Sequence, residues 1–191
     1  MSVSMRAGRN RRVLIGFVAL AAAWILGASR IHVNASWSDD AWGYFVVPIG
    51  TPRMGDRVVF EPPGTIGASA PYLKTVRGLP GSWIAVDRHR DVWVDDIRLG
   101  RAKPLALDGR VLTAAAPGII PPEHYYLHAD HVDSHDSRYA EIGPVSRDRI
   151  LGRAFALPDL PWLGLEGPLV GPDPVGPDPV GRDPAGLEIH P

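Results

Sequence analysis

Short apolar or alternating runs, separated by glycine, proline and aspartate, make up most of the chain after residue 45. This pattern, with turn-forming residues at the boundaries, is typical of β-strands. Residues 83–100, WIAVDRHRDVWVDDIRLG, predict three strands joined by two reversals, the first at Arg88 to Asp91. No stretch after residue 30 keeps a 3.6-residue period over about eleven positions, so the sequence predicts a mostly β domain over residues 32–157.

The amino terminus has a different pattern. Residues 13–29 carry no charge, and the preceding residues 1–12 contain four arginines and no acid. As a helix, this run would span roughly 25 Å, close to the ~30 Å hydrocarbon core of a bilayer. The arginines place the first residues in the cytoplasm. The pattern therefore predicts a basic cytoplasmic segment, a single-pass anchor in the inner membrane and a domain on the periplasmic, extracytoplasmic side, with the lipid bilayer as a partner.

Two other interpretations of the apolar run remain open. One is a cleavable signal sequence, because the small residues at 27–29 resemble a cleavage site, although the apolar region of such a sequence is usually about 7–15 residues long. A buried core helix is the other alternative, although the basic flank disfavours it. We expect an anchor that is retained.

The carboxyl-terminal residues 158–191 form a low-complexity tail. Residues 171–185 read GPDPV, GPDPV and GRDPA, a five-residue repeat with too few apolar side chains to fold. The composition predicts a disordered spacer that is dispensable for catalysis. Two alternatives are docking of a partner and packing of Trp162 and Leu163 against the domain.

Charge and cysteine content exclude several functions. Lysine and arginine total 20, aspartate and glutamate total 21, and the net charge is −1. The chain therefore has no basic field to attract nucleic acid, and no nucleic-acid partner is expected. Cysteine is absent, which excludes disulfides, thiol catalysis and thiolate metal sites.

Two serines and one lysine are the candidates for chemistry. Ser36 and Ser38 follow the apolar run closely, and even a fully extended chain would hold Ser38 within roughly 30 Å of its end. A nucleophilic serine needs a base. Only two of the basic residues are lysines, and one of them, Lys74, lies in a predicted strand whose alternation could direct it inward. A desolvated lysine can act as a base, whereas arginine cannot. A solvent-facing Lys74 is the alternative.

Five segments of the chain, taken together and in this order, resemble the type I signal peptidases that use a Ser-Lys dyad. The resemblance is closest to their TraF-like branch, which serves conjugative transfer. The segments are NASWS at 34–38, MGDRVVFEPP at 54–63, YLKTVRGLPG at 72–81, DSHDSRYAEIGPV at 133–145 and ILGRAFAL at 150–157.

The resemblance implies a role for each site residue. Ser38 would attack the scissile carbonyl and Lys74 would accept its proton, while the Ser36 hydroxyl and the Ser38 N–H would form the oxyanion hole. Ser134 would orient the lysine through a hydrogen bond. The remaining two residues, Asp136 and Arg138, would form a structural ion pair.

The resemblance also implies fold, activity and partners. The fold would be a signal-peptidase-like antiparallel β catalytic domain, and the activity would be that of a membrane-anchored serine endopeptidase without a cofactor or metal. The substrate would be an exported, pilin-like precursor with small side chains at the cleavage site, and the conjugative transfer apparatus would be a further partner. Some family members close the pilin into a ring, and the sequence leaves hydrolysis and cyclisation open.

The chain departs from the family pattern near the nucleophile. Asp39 and Asp40 stand where an apolar residue and a nearby proline are usual. Two carboxylates beside the dyad would favour a protonated Lys74, against its role as a base. A catalytically impaired assembly factor of a secretion apparatus is therefore one alternative. A cytoplasmic Ser-Lys autoprotease is another, which the predicted anchor and the lack of a DNA-binding domain oppose.

Histidines supply two further alternatives. One is a zinc site in the histidine-rich and aspartate-rich segment 124–136, although its spacing matches no metal motif. The other is a Ser-His-Asp site that uses Ser134 or Ser137, although neither serine lies in a nucleophile elbow.

Overall fold

The computed structural model describes residues 27–34, 36, 38–48, 50–68 and 70–170. Apart from two helical residues at 27–28, this part of the chain is built from strands and three 3₁₀ turns at Gly64–Ile66, Arg147–Arg149 and Pro161–Leu163. The prediction of a mostly β fold is confirmed. The strands are β1 (Ile31–Val33), β2 (Gly43–Val47), β3 (Arg57–Phe60), β4 (Tyr72–Gly78), β5 (Trp83–Val86), β6 (Asp91–Val94), β7 (Ile97–Arg101), β8 (Gly118–Ile119), β9 (His124–His128), β10 (Val145–Ser146) and β11 (Ile150–Ala156).

Seven strands form the larger sheet, in the order β1-β2-β11-β3-β4-β9-β10. Every pair in it is antiparallel. The last long strand, β11, inserts between β2 and β3, so the chain must return across the sheet before the sheet is complete. The centre of the sheet is therefore assembled from segments that are far apart in sequence.

Four strands form the smaller sheet, in the order β7-β6-β5-β8. Strands β5, β6 and β7 pair antiparallel one after another, with the first reversal between Val86 and Asp91. The three strands predicted for residues 83–100 are confirmed, because turn residues mark both reversals in the sequence.

The larger sheet buries apolar side chains on both faces. Val58 and Phe60 of β3 pack into one cluster with Val76 and Leu127, whereas Val59 packs into a second cluster on the opposite face. This separation follows from the two-residue repeat of side-chain direction in a strand. Residues of β4 that lie two or four positions from Val76 therefore point to the same face as Val76, towards the first cluster.

Gly78 ends β4 where the two sheets approach each other. A Cβ atom there would lie 2.7 Å from Ile120 Cδ1, 2.8 Å from Val94 Cγ1 and 2.9 Å from Tyr126 Cβ. These distances are shorter than a carbon–carbon contact, so the junction requires a residue without a side chain.

The segment after β11 differs from its prediction. Residues 158–170 were predicted to belong to the disordered tail, but they contain a 3₁₀ turn and bond to the domain. The Trp42 indole donates to the Pro158 carbonyl at 2.9 Å, and the Leu169 N–H donates to the Asn34 carbonyl at 3.1 Å. The prediction rested on composition, which shows how few apolar side chains the segment has. It does not show the hydrogen bonds that backbone groups of the segment make with the Trp42 indole and with Asn34. The repeat at 171–185 lies outside the described residues.

The predicted anchor lies almost entirely outside the described residues, which begin at residue 27. Within the described residues no helix is both long enough and apolar enough to cross a bilayer.

Shortening the chain tests the role of residues 158–170. A chain ending at residue 157 should lose about 2 kcal/mol of unfolding free energy, because it lacks the partners of Trp42 and Asn34, and each hydrogen bond contributes about 1 kcal/mol. A chain ending at residue 170 should match the full-length protein. Urea unfolding followed by tryptophan fluorescence measures both. Equal stability of the two shortened chains would show that the segment adds nothing to the fold.

Candidate active site

Lys74 lies on strand β4, and its side chain points into the interior of the domain. Lys74 pairs with Val58 of β3 and lies two positions before Val76, so its side chain points from the sheet towards the same buried cluster. The residue is 6% exposed. The strand alternation anticipated in the sequence thus places an amine where aliphatic side chains would otherwise pack.

Ser38 approaches Lys74 from a different part of the chain. The two residues are 36 positions apart, and Ser38 Oγ lies 3.2 Å from Lys74 Nζ. Ser38 is half-buried and belongs to the loop that joins β1 to β2. The pair is therefore within hydrogen-bond distance before any substrate is bound.

Asn34 organises the loop that carries Ser38. Its Nδ2 donates to the Asp39 carbonyl at 2.7 Å and to the Ala41 carbonyl at 2.8 Å. Its Oδ1 accepts from the Ser36 N–H at 3.1 Å and from the Ser36 hydroxyl at 3.0 Å. The residue is 7% exposed, so these four bonds satisfy a buried amide and close the loop around Ser38.

Burial is the main influence on the Lys74 amine. It lowers the pKa of Lys74 because a charged amine is poorly solvated there, and Arg138 lowers it further, while Asp136 and Asp39 act in the opposite direction. The net result is a pKa of about 8, against 10.5 for an ordinary lysine.

Asp39, which follows Ser38, has other partners than Lys74. Arg57 Nε lies 3.3 Å from Asp39 Oδ2, and the Tyr44 hydroxyl donates to Asp39 Oδ1. Burial and Asp39 together raise the pKa of Tyr44, so the phenol keeps its proton for this bond. Asp40 is exposed. The departure from the family pattern is thus compensated locally, by a cation and a phenol.

Asp136 and Arg138 are close together in the core. Arg138 Nε lies 2.9 Å from Asp136 Oδ1, and a second guanidinium nitrogen lies 3.0 Å from Oδ2, which makes the pair bidentate. Both residues are at most 2% exposed. Burial alone would raise the pKa of Asp136, but the adjacent His128 ring and Arg138 lower it to about 2. The carboxylate is therefore ionised, and it attracts the Lys74 cation.

A cleft of about 610 Å³ contains the catalytic candidates. Ser36, Ser38, Lys74 and Ser134 all line it. Ser134 is 3% exposed, and its Oγ has no hydrogen-bond partner among the residues that the structure describes. The hydrogen bond predicted between Ser134 and Lys74 is thus not formed in this structure, and the role of Ser134 in orienting the base stays a prediction.

The histidine-rich segment is used for packing and for contacts with carboxylates. Its His128 is 2% exposed and contacts Asp136 at 3.1 Å, while His135 contacts Glu141 at 3.0 Å. Within the described part of the chain, no group of three or more acidic or histidine side chains is arranged to hold a metal ion. Ser137, the serine of one alternative, is fully buried, and its hydroxyl accepts from the Leu127 N–H at 2.9 Å.

Asn34, Tyr44 and Arg57 belong to the site although they were not predicted from the sequence. One signal was present, since an asparagine two residues before a serine often bonds to the local backbone. No local pattern indicates the role of Tyr44 or Arg57. They lie on β2 and β3, and they come close to Asp39 of the serine loop only in the folded chain.

Known proteins resemble this chain over most of its length. Residues 11–157 match the family described as signal peptidase, peptidase S26. The conjugal transfer protein TraF of Agrobacterium tumefaciens (strain 15955) is 31% identical over 177 residues, covering 76% of this chain and 95% of that protein. The signal peptidase I of Pseudomonas aeruginosa is 28% identical over 146 residues, covering 59% of this chain and 51% of that protein. The crystal structure of a signal peptidase I from Enterococcus faecalis V583 has 21% identity and a TM-score of 0.35, covering 55% of this chain and 97% of that one.

Replacing the buried amine tests its environment. Lys74→Met should raise the unfolding free energy at pH 7 by up to about 3 kcal/mol, because a pKa lowered from 10.5 to about 8 means that folding disfavours the charged amine. The unfolded chain binds more protons between these pKa values, so the wild type gains stability as the pH rises from 8 towards 10.5. The advantage of the variant should therefore shrink by pH 10.

Urea unfolding at pH 7 and pH 10 measures this difference. Lys103→Met is the matched control, because Lys103 is the other lysine of the chain and is paired with Asp133. Its substitution should not stabilise the protein. An advantage of Lys74→Met that stays the same at both pH values would contradict a lowered pKa.

The donor role of Asn34 Nδ2 can be tested by replacing the amide with a carboxylate, whose charge depends on pH. Asn34→Asp keeps an acceptor for Ser36 but turns a carboxylate towards the Asp39 and Ala41 carbonyls, so the unfolding free energy should fall by about 2–4 kcal/mol at pH 7. Protonation would restore one donor, so the loss relative to wild type should be smaller at pH 4. Asn34→Ala is the control, whose loss should not change with pH in this range. Equal losses of Asn34→Asp at both pH values would contradict the donor role of Nδ2.

Proposed function

The chain belongs to the signal peptidase family, peptidase S26, and we propose that it is a serine endopeptidase that uses Ser38 and Lys74. Family membership rests on the match over residues 11–157 and on the TraF relative that is 31% identical. The proposed reaction is acyl transfer through a covalent intermediate on Ser38. It requires no cofactor.

One observation carries the proposal. A buried amine with a pKa of about 8 lies 3.2 Å from a serine hydroxyl inside a cleft. At pH 7.5 roughly a quarter of such amines are neutral, against about one in a thousand at the ordinary lysine pKa. Burial thus raises the fraction of competent base by more than two orders of magnitude, which an exposed lysine could not achieve.

The reaction follows from this pair. Neutral Lys74 takes the proton of the Ser38 hydroxyl as Oγ bonds to the scissile carbonyl carbon. Lysine then passes the proton to the leaving amine as the peptide bond breaks, leaving an ester on Ser38. Water, activated by Lys74, hydrolyses that ester and restores the serine.

The negative oxygen formed during attack needs donors. The Ser38 N–H and the Ser36 hydroxyl lie in the same loop, and both serines line the cleft. The Ser36 hydroxyl has one hydrogen, and its bond to Asn34 Oδ1 engages it. We propose that the developing oxyanion, which carries more charge than an amide oxygen, draws this hydrogen away from Asn34.

An extended substrate can pair with the start of β4. Strand β9 pairs with β4 from Thr75 onward, so in the described part of the chain no strand lies beside residues 72–74 on that side. These residues line the cleft and include Lys74. Added-strand pairing would bring a peptide bond of the substrate past the dyad in a fixed register.

The surroundings of Asp39 favour an enzyme over an impaired assembly factor. The aspartate next to the nucleophile would weaken the base if it paired with Lys74. Its partners are instead Arg57 and Tyr44, and the pKa of Lys74 is lowered despite it. The chain therefore keeps a lysine that can lose its proton.

We propose that the substrate is an exported, pilin-like precursor with small side chains at the cleavage site. The supporting observation is that several relatives are named as conjugal transfer proteins, including the TraF proteins of Agrobacterium tumefaciens and Agrobacterium fabrum. We further propose that residues 13–29 anchor the enzyme in the inner membrane, with its domain in the periplasm, where it meets the conjugative transfer apparatus.

Three substitutions test the dyad. Lys74→Arg keeps the charge but offers no lone pair, so cleavage of a pilin-like precursor should be lost as fully as in Ser38→Ala. Ser36→Ala removes one oxyanion donor and should be milder, costing roughly 2–4 kcal/mol of transition-state stabilisation. Cleavage by the purified full-length variants is followed by intact mass, with circular dichroism as the control for folding.

Each outcome has a separate meaning. Turnover close to wild type by Lys74→Arg would exclude lysine as the base, and the same result for Ser38→Ala would exclude the peptidase proposal. The mass of the product also separates hydrolysis from ring closure, because a cyclic product is lighter than the linear one by a water.

A further inference from the structure

Asp39 puts a carboxylate directly beside the proposed nucleophile, where the family pattern has an apolar residue. Its side chain is only 15% exposed, whereas Asp40 is exposed to solvent. Burial lowers the pKa of Lys74, and Asp39 is one of the two acidic groups that oppose this effect. The charge of Asp39 is therefore felt by the base, and the site needs a means of limiting it.

Both oxygens of Asp39 have donors from the larger sheet. Arg57 Nε of β3 lies 3.3 Å from Oδ2, and the Tyr44 hydroxyl of β2 donates to Oδ1. Arg57 lies two positions before Val59, which packs with Tyr44 in the second cluster. Lys74 points to the first cluster, on the opposite face. The two donors thus hold the carboxylate on the side of the sheet away from the amine.

The two donors differ in charge. Tyr44 is neutral, because burial and Asp39 raise its pKa, so it offers a hydrogen bond and no positive charge. Arg57 carries a positive charge, and its side chain is 46% exposed. Without Arg57, the carboxylate would keep one neutral donor and would remain within range of the Lys74 cation. A half-buried carboxylate in that position favours the protonated amine.

We propose that Arg57 is a positioning residue for the reaction, which acts on Lys74 through Asp39. Its guanidinium holds the carboxylate that follows Ser38 on β3 and offsets its charge, so that the amine can lose its proton. The inference rests on the proposed function and deepens it, because the resemblance implies no role for residue 57. The Asp39–Arg57 pair would then be a change of two residues that depend on each other.

The other charged groups near Lys74 are the same in every variant that tests this pair. After burial, the main influences on its pKa are Asp136, which raises it, and Arg138, which lowers it. The Tyr72 ring centre lies 5.5 Å from Lys74 Nζ. Further titratable groups that line the cleft are His32, Tyr44, Arg110, Asp133 and His135. A difference between variants at positions 39 and 57 therefore reports on the pair itself.

The protonation of Lys74 can be measured without any substrate. The chain contains two lysines, so full-length protein in detergent with ¹³C at the lysine Cε carbons gives two signals, which Lys103→Arg assigns. Arg57→Met should raise the titration midpoint of Lys74 by about half to one pH unit, because the unpaired carboxylate favours the cation. In the Asp39→Asn background, the same substitution should move the midpoint by less than about 0.2 pH units.

Cleavage of a pilin-like precursor should follow the same pattern. The kcat/KM of Arg57→Met should be about three- to tenfold below wild type at pH 7, because fewer amines are neutral, and should approach wild type by pH 10. Arg57→Lys keeps the cation and should retain the wild-type pH profile. Adding Asp39→Asn to Arg57→Met should restore the rate at pH 7.

Arg98→Met is the matched control. Arg98 lies on β7 of the smaller sheet, is 56% exposed and contacts Asp91 at 2.6 Å, so its substitution also removes one cation from an aspartate. It should change neither the Lys74 midpoint nor the pH profile. Thermal melting of each variant confirms that it is folded.

The outcomes separate this inference from the proposed function. A Lys74 midpoint that Arg57→Met leaves unchanged, or raises equally with and without Asp39, would overturn the inference, and loss of cleavage in Ser38→Ala would still support the peptidase. A midpoint that rises while the rate at pH 7 stays at the wild-type value would contradict a positioning role. Cleavage by Ser38→Ala at the wild-type rate would overturn the peptidase proposal itself, whatever the titration shows.

Discussion

The buried amine of Lys74 is the constraint on which the rest of the site depends. Removing a lysine side chain from water disfavours its charged form, and at 6% exposure this lowers the pKa to about 8. The fold must therefore bury this amine and still tolerate the positive charge of its protonated form. The ionised Asp136 meets the second requirement, because it attracts the Lys74 cation from within the core.

Asp136 can stay ionised in the core only because other groups hold it. Arg138 binds both of its oxygens, and His128 lies 3.1 Å from one of them. A buried carboxylate without such partners would become protonated, and its attraction for Lys74 would vanish. The Asp136–Arg138 pair, predicted as structural support, thus also acts on Lys74 through its charges.

The loop that carries Ser38 is held by hydrogen bonds of Asn34, and not by the charged groups around Lys74. Asn34 joins both ends of the serine loop through four bonds, and its carbonyl accepts from Leu169 beyond the last strand of the larger sheet. The position of Ser38 therefore depends on the hydrogen bonds of its loop, while the protonation state of Lys74 depends on burial and charge. A substitution can disturb one of these without the other.

Local alternation and turn residues in the sequence predicted the strands and the inward direction of Lys74, whereas the Asp136–Arg138 ion pair was expected only from the resemblance to a family. The sequence could not determine that Arg57 and Tyr44 bind Asp39, or that residues 158–170 bond to Asn34 and Trp42. Each of these joins segments far apart in the chain. Their distances are set only when β11 inserts between β2 and β3 and the sheet closes around the buried lysine.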